Sequence, residues 1–133
     1  VLKIPNVTFI NLQYKDFEDD LEKVREEFGV TVHNFDDLDQ WNNIDDVTAL
    51  CAALDIVITN KITVVYLSAG VGTTTKLANW KQSSWNNLLS NPQSSSINLF
   101  ERNTWEPWDM VFNLIREDIF KIQNKNLNRM DRI

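Results

Sequence analysis

Apolar residues change their spacing several times along this chain, and each change predicts a new element. Val7-Thr8-Phe9-Ile10-Asn11-Leu12 is a short β-rich run and predicts a first strand. From Asp16 to Phe28 the period lengthens: Phe17, Leu21, Val24 and Phe28 recur three and four residues apart, marking one face of a helix that Gly29 ends. Val30 to Phe35 predicts a second short strand. The stretch Asp36 to Asp46 breaks the pattern with clustered carboxylates and reads as a connection. Its last two acids, Asp45 and Asp46, start a helix over Val47–Leu54, because negative charge favours a helix amino terminus.

The stretch Leu54 to Gly72 organises the rest. A short aliphatic, β-branched run suits a strand buried on both faces of a parallel sheet. Polar Thr59-Asn60-Lys61 predicts a turn, and the segment after it, rich in small residues before Gly72, predicts a helix with a glycine stop. Thr73–Ala78 predicts a fourth strand. Asn79 to Ser96, rich in Asn, Ser and Gln, predicts a loop with one short helix around Ser84–Leu89. Trp80 and Trp85 in that loop can stack on a base or sugar ring, or fold back onto the core. Ser96–Phe100 predicts a last strand. Trp105–Phe120 predicts a final helix with Pro107 in its first turn and an apolar stripe of Trp108, Val111, Phe112, Ile115 and Ile119. From Lys121 onward the polar sequence predicts fraying, and residues 123–133 a polar tail.

Strands alternating with helices predict an α/β fold: a three-layer α/β/α Rossmann-like domain over residues 1–122, with a mostly parallel sheet of about five strands. A length of 133 residues is enough for one domain with a substantial core, and the 43% hydrophobic and 24% charged content is ordinary for a globular chain. No apolar run is long enough to span a membrane, and no signal-peptide pattern opens the chain. A single Cys51, within the Ala-rich helix, reads as a small core residue and fits a cytoplasmic location. One His, His33, and one Cys give no zinc-ligand set, and Asp36–Asp46 lacks the central Gly and distal Glu of a calcium loop.

Charge is unevenly divided. Residues 1–60 hold 13 acids against 4 bases, a net of −9, whereas residues 61–133 hold 6 acids against 9 bases, a net of +3. The acidic half argues against nucleic-acid binding. No acid occurs between Asp55 and Glu101, so the turn at Thr59, Asn60 and Lys61, followed by Thr63, predicts an anion seat on the amides of a helix start. An ordinary solvated βα turn is the competing reading of the same residues.

Three blocks also carry a family resemblance. Phe9-Ile10-Asn11-Leu12-Gln13-Tyr14 resembles the strand ending in Ser-Leu-Gln in the bacterial tetratricopeptide-repeat glycosyltransferases, relatives of O-linked N-acetylglucosamine transferase and the heptosyltransferases, although the usual opening strand of that domain is missing upstream of Val7. Asp37-Leu38-Asp39 through Leu50, and Ala52-Ala53-Leu54-Asp55-Ile56-Val57-Ile58-Thr59, resemble their central block. Ser96-Ile97-Asn98-Leu99-Phe100, with Trp105 or Trp108, resembles their ending. The resemblance spans roughly residues 7–120. It implies the C-terminal half of a GT-B glycosyltransferase, inactive alone because the acceptor domain or helical repeats would lie upstream. A chain without an initiating Met fits a truncated piece of such an enzyme.

The resemblance further implies a nucleotide-diphosphate-sugar donor, such as a uridine diphosphate sugar, and no cofactor or metal. Donor-diphosphate contacts would come from Thr59, Asn60, Lys61, Thr63 and Tyr66, with Gln13 and Lys15 nearby. Tyr66 stands where the family has His, and Thr74 where it has Pro, so no catalytic residue is assigned. The alternative is a degenerate, non-catalytic Rossmann-like interaction or scaffold domain. A response-regulator receiver is disfavoured, since Thr59-Asn60-Lys61 offers no phosphoacceptor Asp at the end of the third strand.

Overall fold

A computed structural model describes residues 1–81 and 95–130. The described elements run β1 (Phe9–Ile10), α1 (Glu18–Phe28), β2 (Val32–His33), α2 (Ile44–Ala53), β3 (Ile56–Thr59), α3 (Thr63–Gly70), β4 (Thr74–Trp80), β5 (Ile97–Arg102) and α4 (Trp108–Met130). The fold is α/β, and every described strand pair is parallel. The strands form two sheets, β1-β2 and β3-β4-β5, where the sequence predicts one sheet of about five strands.

The first two strands are shorter than the aliphatic runs that predict them. β1 and β2 pair only as Phe9 with Val32 and Ile10 with His33, closed by an Asn11 N–H to His33 O bond of 2.8 Å. Beyond that rung the Asn11 side chain, not another strand, supplies the hydrogen-bond partners, so the ladder ends.

In the larger sheet, side chains alternate cleanly between faces, as the pleat requires. Ile56 and Ile58 of β3, Ala78 of β4 and Phe100 of β5 pack with Val111, Ile115, Ile119 and Trp108 of α4. Val57 packs with Val47 and Cys51 of α2 and Val64 of α3, while Leu77, Ile97 and Leu99 meet Val65 and Ala69 of α3. Thus α4 covers one face, and α2 and α3 the other.

Helix ends follow local chemistry. Asn43 caps α2 by accepting from the Asp46 N–H at 3.1 Å, and Asp46 accepts from Asn43 Nδ2 in return. Gly29 ends α1 with φ +65° and donates to Arg25 O, a conformation costly for any residue with a Cβ. The α1 face is only lightly covered: none of its residues is buried and Phe28 is exposed.

Two expectations for the C-terminal region change. Helix α4 starts at Trp108, with Pro107 just before it, and does not fray at Lys121 but continues to Met130. No Gly or Pro interrupts it, so helix propagation continues once nucleated, and Gln123 Nε2 anchors it by donating to Pro5 O at 3.0 Å. Trp80 ends β4 and does not open a loop; its ring lies 6.2 Å from that of Trp108. Trp85 and the helix expected around Ser84–Leu89 lie outside the described residues.

Candidate functional site

In parallel α/β sheets the strands' carboxyl ends gather the loops that carry function. Thr59 ends β3, with its hydroxyl bonded to Asn60 O at 3.1 Å. Asn60, Lys61 and Thr63 are exposed on the turn and first residue of α3, and Tyr66 is exposed one turn on. Lys61 and Tyr66 both have interaction partners within the chain. No side chain caps α3 and no acid lies in its first turn. However, the Ile62 N–H is already bonded to Asn60 O at 2.9 Å and the Val65 N–H to Ile62 O at 3.1 Å. Those two donors are spent internally, which narrows what the turn offers an anion.

Gln13 and Lys15 follow β1, on the other sheet, and belong to a different arrangement. Its centre is Asn11, buried at the carboxyl end of β1. Asn11 Nδ2 donates to Asn34 Oδ1 at 2.9 Å and to Gln13 O at 3.2 Å; its Oδ1 accepts from the Gln13 N–H at 3.0 Å. Gln40 Nε2 donates to Asn11 O at 3.3 Å, and Asn34 Nδ2 donates to Asp36 Oδ1 at 2.6 Å. The buried Asn11 carboxamide thereby ties the exit of β1 to the exit of β2, and the Asn11 backbone carbonyl holds Gln40 of the connection before α2.

That connection carries five aspartates and an exposed tryptophan. Asp39 nucleates its turn, accepting from the N–H groups of Trp41 (3.0 Å) and Asn42 (2.9 Å) and from Asn42 Nδ2 (2.8 Å). The Asn42 side chain first, then these amides, hold the Asp39 carboxyl below the usual carboxylate range. Trp41 is thrust outward, 65% exposed, and its ring lies 4.8 Å from that of exposed Tyr14 from beyond β1, the two planes tilted by 48°. On the same connection and the following helix is a shallow depression lined by Phe35, Asp37, Leu38, Asp46 and Leu50. From Asp36 to Asp46 there are five aspartates and no base. A lining of apolar side chains and carboxylates suits a cationic side chain that carries an apolar stem.

Sequence reasoning singled out the α3 turn and treated Asp36–Asp46 as a connection. Trp41 inside an acid-dense run is the sequence feature that coincides with this surface. The burial of Asn11 carries no sequence signal. Cys51 is fully buried, and burial pushes its thiol up, which fits the core role read from its neighbours. Among the described residues no His, Cys, Asp and Glu group could hold a metal, and no helix is long and apolar enough to cross a membrane.

Comparisons with known proteins revise the identification. No family model and no solved structure match the chain. A curated relative does. It is Protein FlbA of Caulobacter vibrioides, 37% identical over an alignment of 112 residues that covers 80% of this chain and 19% of that protein. The chain therefore spans about a fifth of the relative it matches.

This overturns the reading as half of a GT-B glycosyltransferase. The protein that aligns along most of the chain is FlbA and not a glycosyltransferase, and no solved structure of such an enzyme matches. The nucleotide-sugar donor and the upstream acceptor domain were implied by that resemblance and lose their support with it. Strand-end and Ala-rich helix patterns such as Ala52-Ala53-Leu54-Asp55-Ile56-Val57 are what any parallel β-α-β unit demands, so they match across families.

Proposed function

We propose that this chain is a non-catalytic interaction domain of Rossmann-like layering. Its docking edge is the acidic connection between β2 and α2, and its partner is a basic protein segment bearing an apolar anchor. The layering rests on α4 lying across one face of β3-β4-β5 with α2 and α3 on the other. Leu12, just past β1, joins the α2-side cluster and brings the two-stranded sheet alongside.

The observation that carries the reading is a depression lined by Phe35, Leu38 and Leu50 together with Asp37 and Asp46, on the same connection that presents Trp41 outward against Tyr14. Exposed tryptophan and tyrosine are the residues on which binding energy concentrates, and a single-sign rim speeds and orients encounter with the opposite charge. Calorimetric titration with a basic amphipathic peptide, repeated on Asp37→Lys and Trp41→Ala chains, tests it.

A second reading keeps the start of α3 as a small anion site, favoured by its acid-free, side-chain-uncapped first turn at Thr63. Inorganic pyrophosphate is the probe. Thr63 and Val64 amide shifts that saturate, and that weaken in Lys61→Ala, would support it; unchanged amide shifts at millimolar pyrophosphate would dismiss it.

A further inference from the structure

We infer that the segment seated on the acidic edge is the carboxyl end of α4 from a second copy of this chain. The inference rests on the docking-edge reading and names its occupant.

The apolar stripe of α4 covers the sheet through Val111, Ile115 and Ile119. Gln123, bonded to Pro5, is the last anchor, and every residue from Asn124 to Met130 is exposed. The stripe continues past that anchor as Leu127 and Met130, 59% and 72% exposed among the described residues. Lys121, Lys125 and Arg129, spaced by four, align along an adjoining flank, and no acid occurs from Lys121 to Met130. The projecting end is thus a basic helix with two bare apolar side chains. It matches the acidic edge in both respects: three bases and no acid against five aspartates and no base, with Leu127 and Met130 against Phe35, Leu38 and Leu50. Helix-in-groove recognition uses this pairing of apolar anchors and flanking charge.

The two surfaces cannot meet within one copy. Trp80, at the end of β4, lies against Trp108 at the start of α4, and Lys76, earlier in β4, pairs with Asp118 further along. So α4 runs antiparallel to the strands, and its last described turns lie toward their amino ends, past Gln123 at Pro5, which precedes β1. The acidic connection leaves the carboxyl end of β2. Donor and acceptor surfaces sit at opposite ends of the fold, so pairing is head-to-tail, and such contacts propagate or close into rings.

The small contact makes weak association the expectation. Sedimentation of the full chain should show mass rising with concentration without a fixed stoichiometry. Self-association should weaken between ~0.01 M and ~0.15 M salt, as the screening length falls from ~30 Å to ~8 Å. Lys125→Glu with Arg129→Glu, and separately Asp37→Lys, should each weaken it about tenfold, and mixing the two reversed chains should restore it as assemblies in which the two alternate. These positions are exposed, so circular dichroism should be unchanged. A chain that stays monomeric at low salt, or an assembly indifferent to both reversals, overturns the inference. If the monomeric chain still binds the basic amphipathic peptide through Asp37, the docking edge stands and only its occupant is wrong; if it binds neither, both readings fall.

Discussion

Lys76 Nζ lies 2.5 Å from Asp118 Oδ2, an ion pair that fastens the middle strand of the larger sheet to α4. Lys76 is 2% exposed and also donates to Asn98 Oδ1 of β5 at 2.6 Å, whereas 36% of the Asp118 side chain remains accessible. The pair sets where α4 lies along the strands, and so which of its turns project past them.

A buried charge that loses its partner is costlier than one that was never there. Asp118→Ala strands the Lys76 ammonium and should destabilise by about 2–3 kcal/mol, less than the ~3–5 of a fully buried pair because Asp118 is part exposed. Lys76→Met replaces the charge with an apolar chain of similar length and should fall within ~1 kcal/mol of the unmodified protein. Urea unfolding of both variants measures the contrast. Equal losses would mean that the pair matters through packing alone.

Asn11 should behave as a single point of failure for the docking edge. Asn11→Leu keeps the volume but leaves the Gln13 N–H without its buried acceptor and Asn34 without its donor. The expected loss is about 1–3 kcal/mol. Hydrogen exchange should locate it, with faster exchange at Gln13 and around Gln40 and little change at β4. Uniform acceleration across the chain would contradict a local role.

The turn that presents Trp41 should respond to acid. Hydrogen bonds from Asn42 and Trp41 depress the Asp39 pKa, so Asp39 binds its proton more weakly folded than unfolded. Its stabilisation is therefore complete above the unfolded value of ~3.9 and is lost as pH falls through the lower folded value. Carboxyl-carbon NMR should find Asp39 titrating below the usual aspartate value of ~3.9, and Asp39→Asn should flatten the local pH response at Trp41. An Asp39 midpoint at or above that usual value would contradict the assignment.

How much of this was legible in the sequence depended on whether a feature repeats. Helices α1 and α2 and strand β3 announce themselves through period and chain order. The final helix was foreshortened because its last turns hold Lys, Asn and Gln, which look unsupported until Pro5 supplies an acceptor for Gln123 from the far end of the sequence. Strands β1 and β2 looked longer than they are, because β-branched residues such as Val7 and Val30 mark a preference and not a partner. The docking edge was hidden for a related reason. Phe35, Leu38 and Leu50 come together only when α2 folds back over the connection, and five aspartates in a row of polar residues resemble ordinary solvated loop.

The most direct test of the account is calorimetry of the full chain against a basic amphipathic helical peptide at low salt. The prediction is saturable binding, weakened about tenfold by Asp37→Lys and by Trp41→Ala, while Lys61→Ala on the α3 turn leaves it unchanged. Binding that ignores Asp37 and Trp41, or no heat of binding at millimolar peptide, would contradict it.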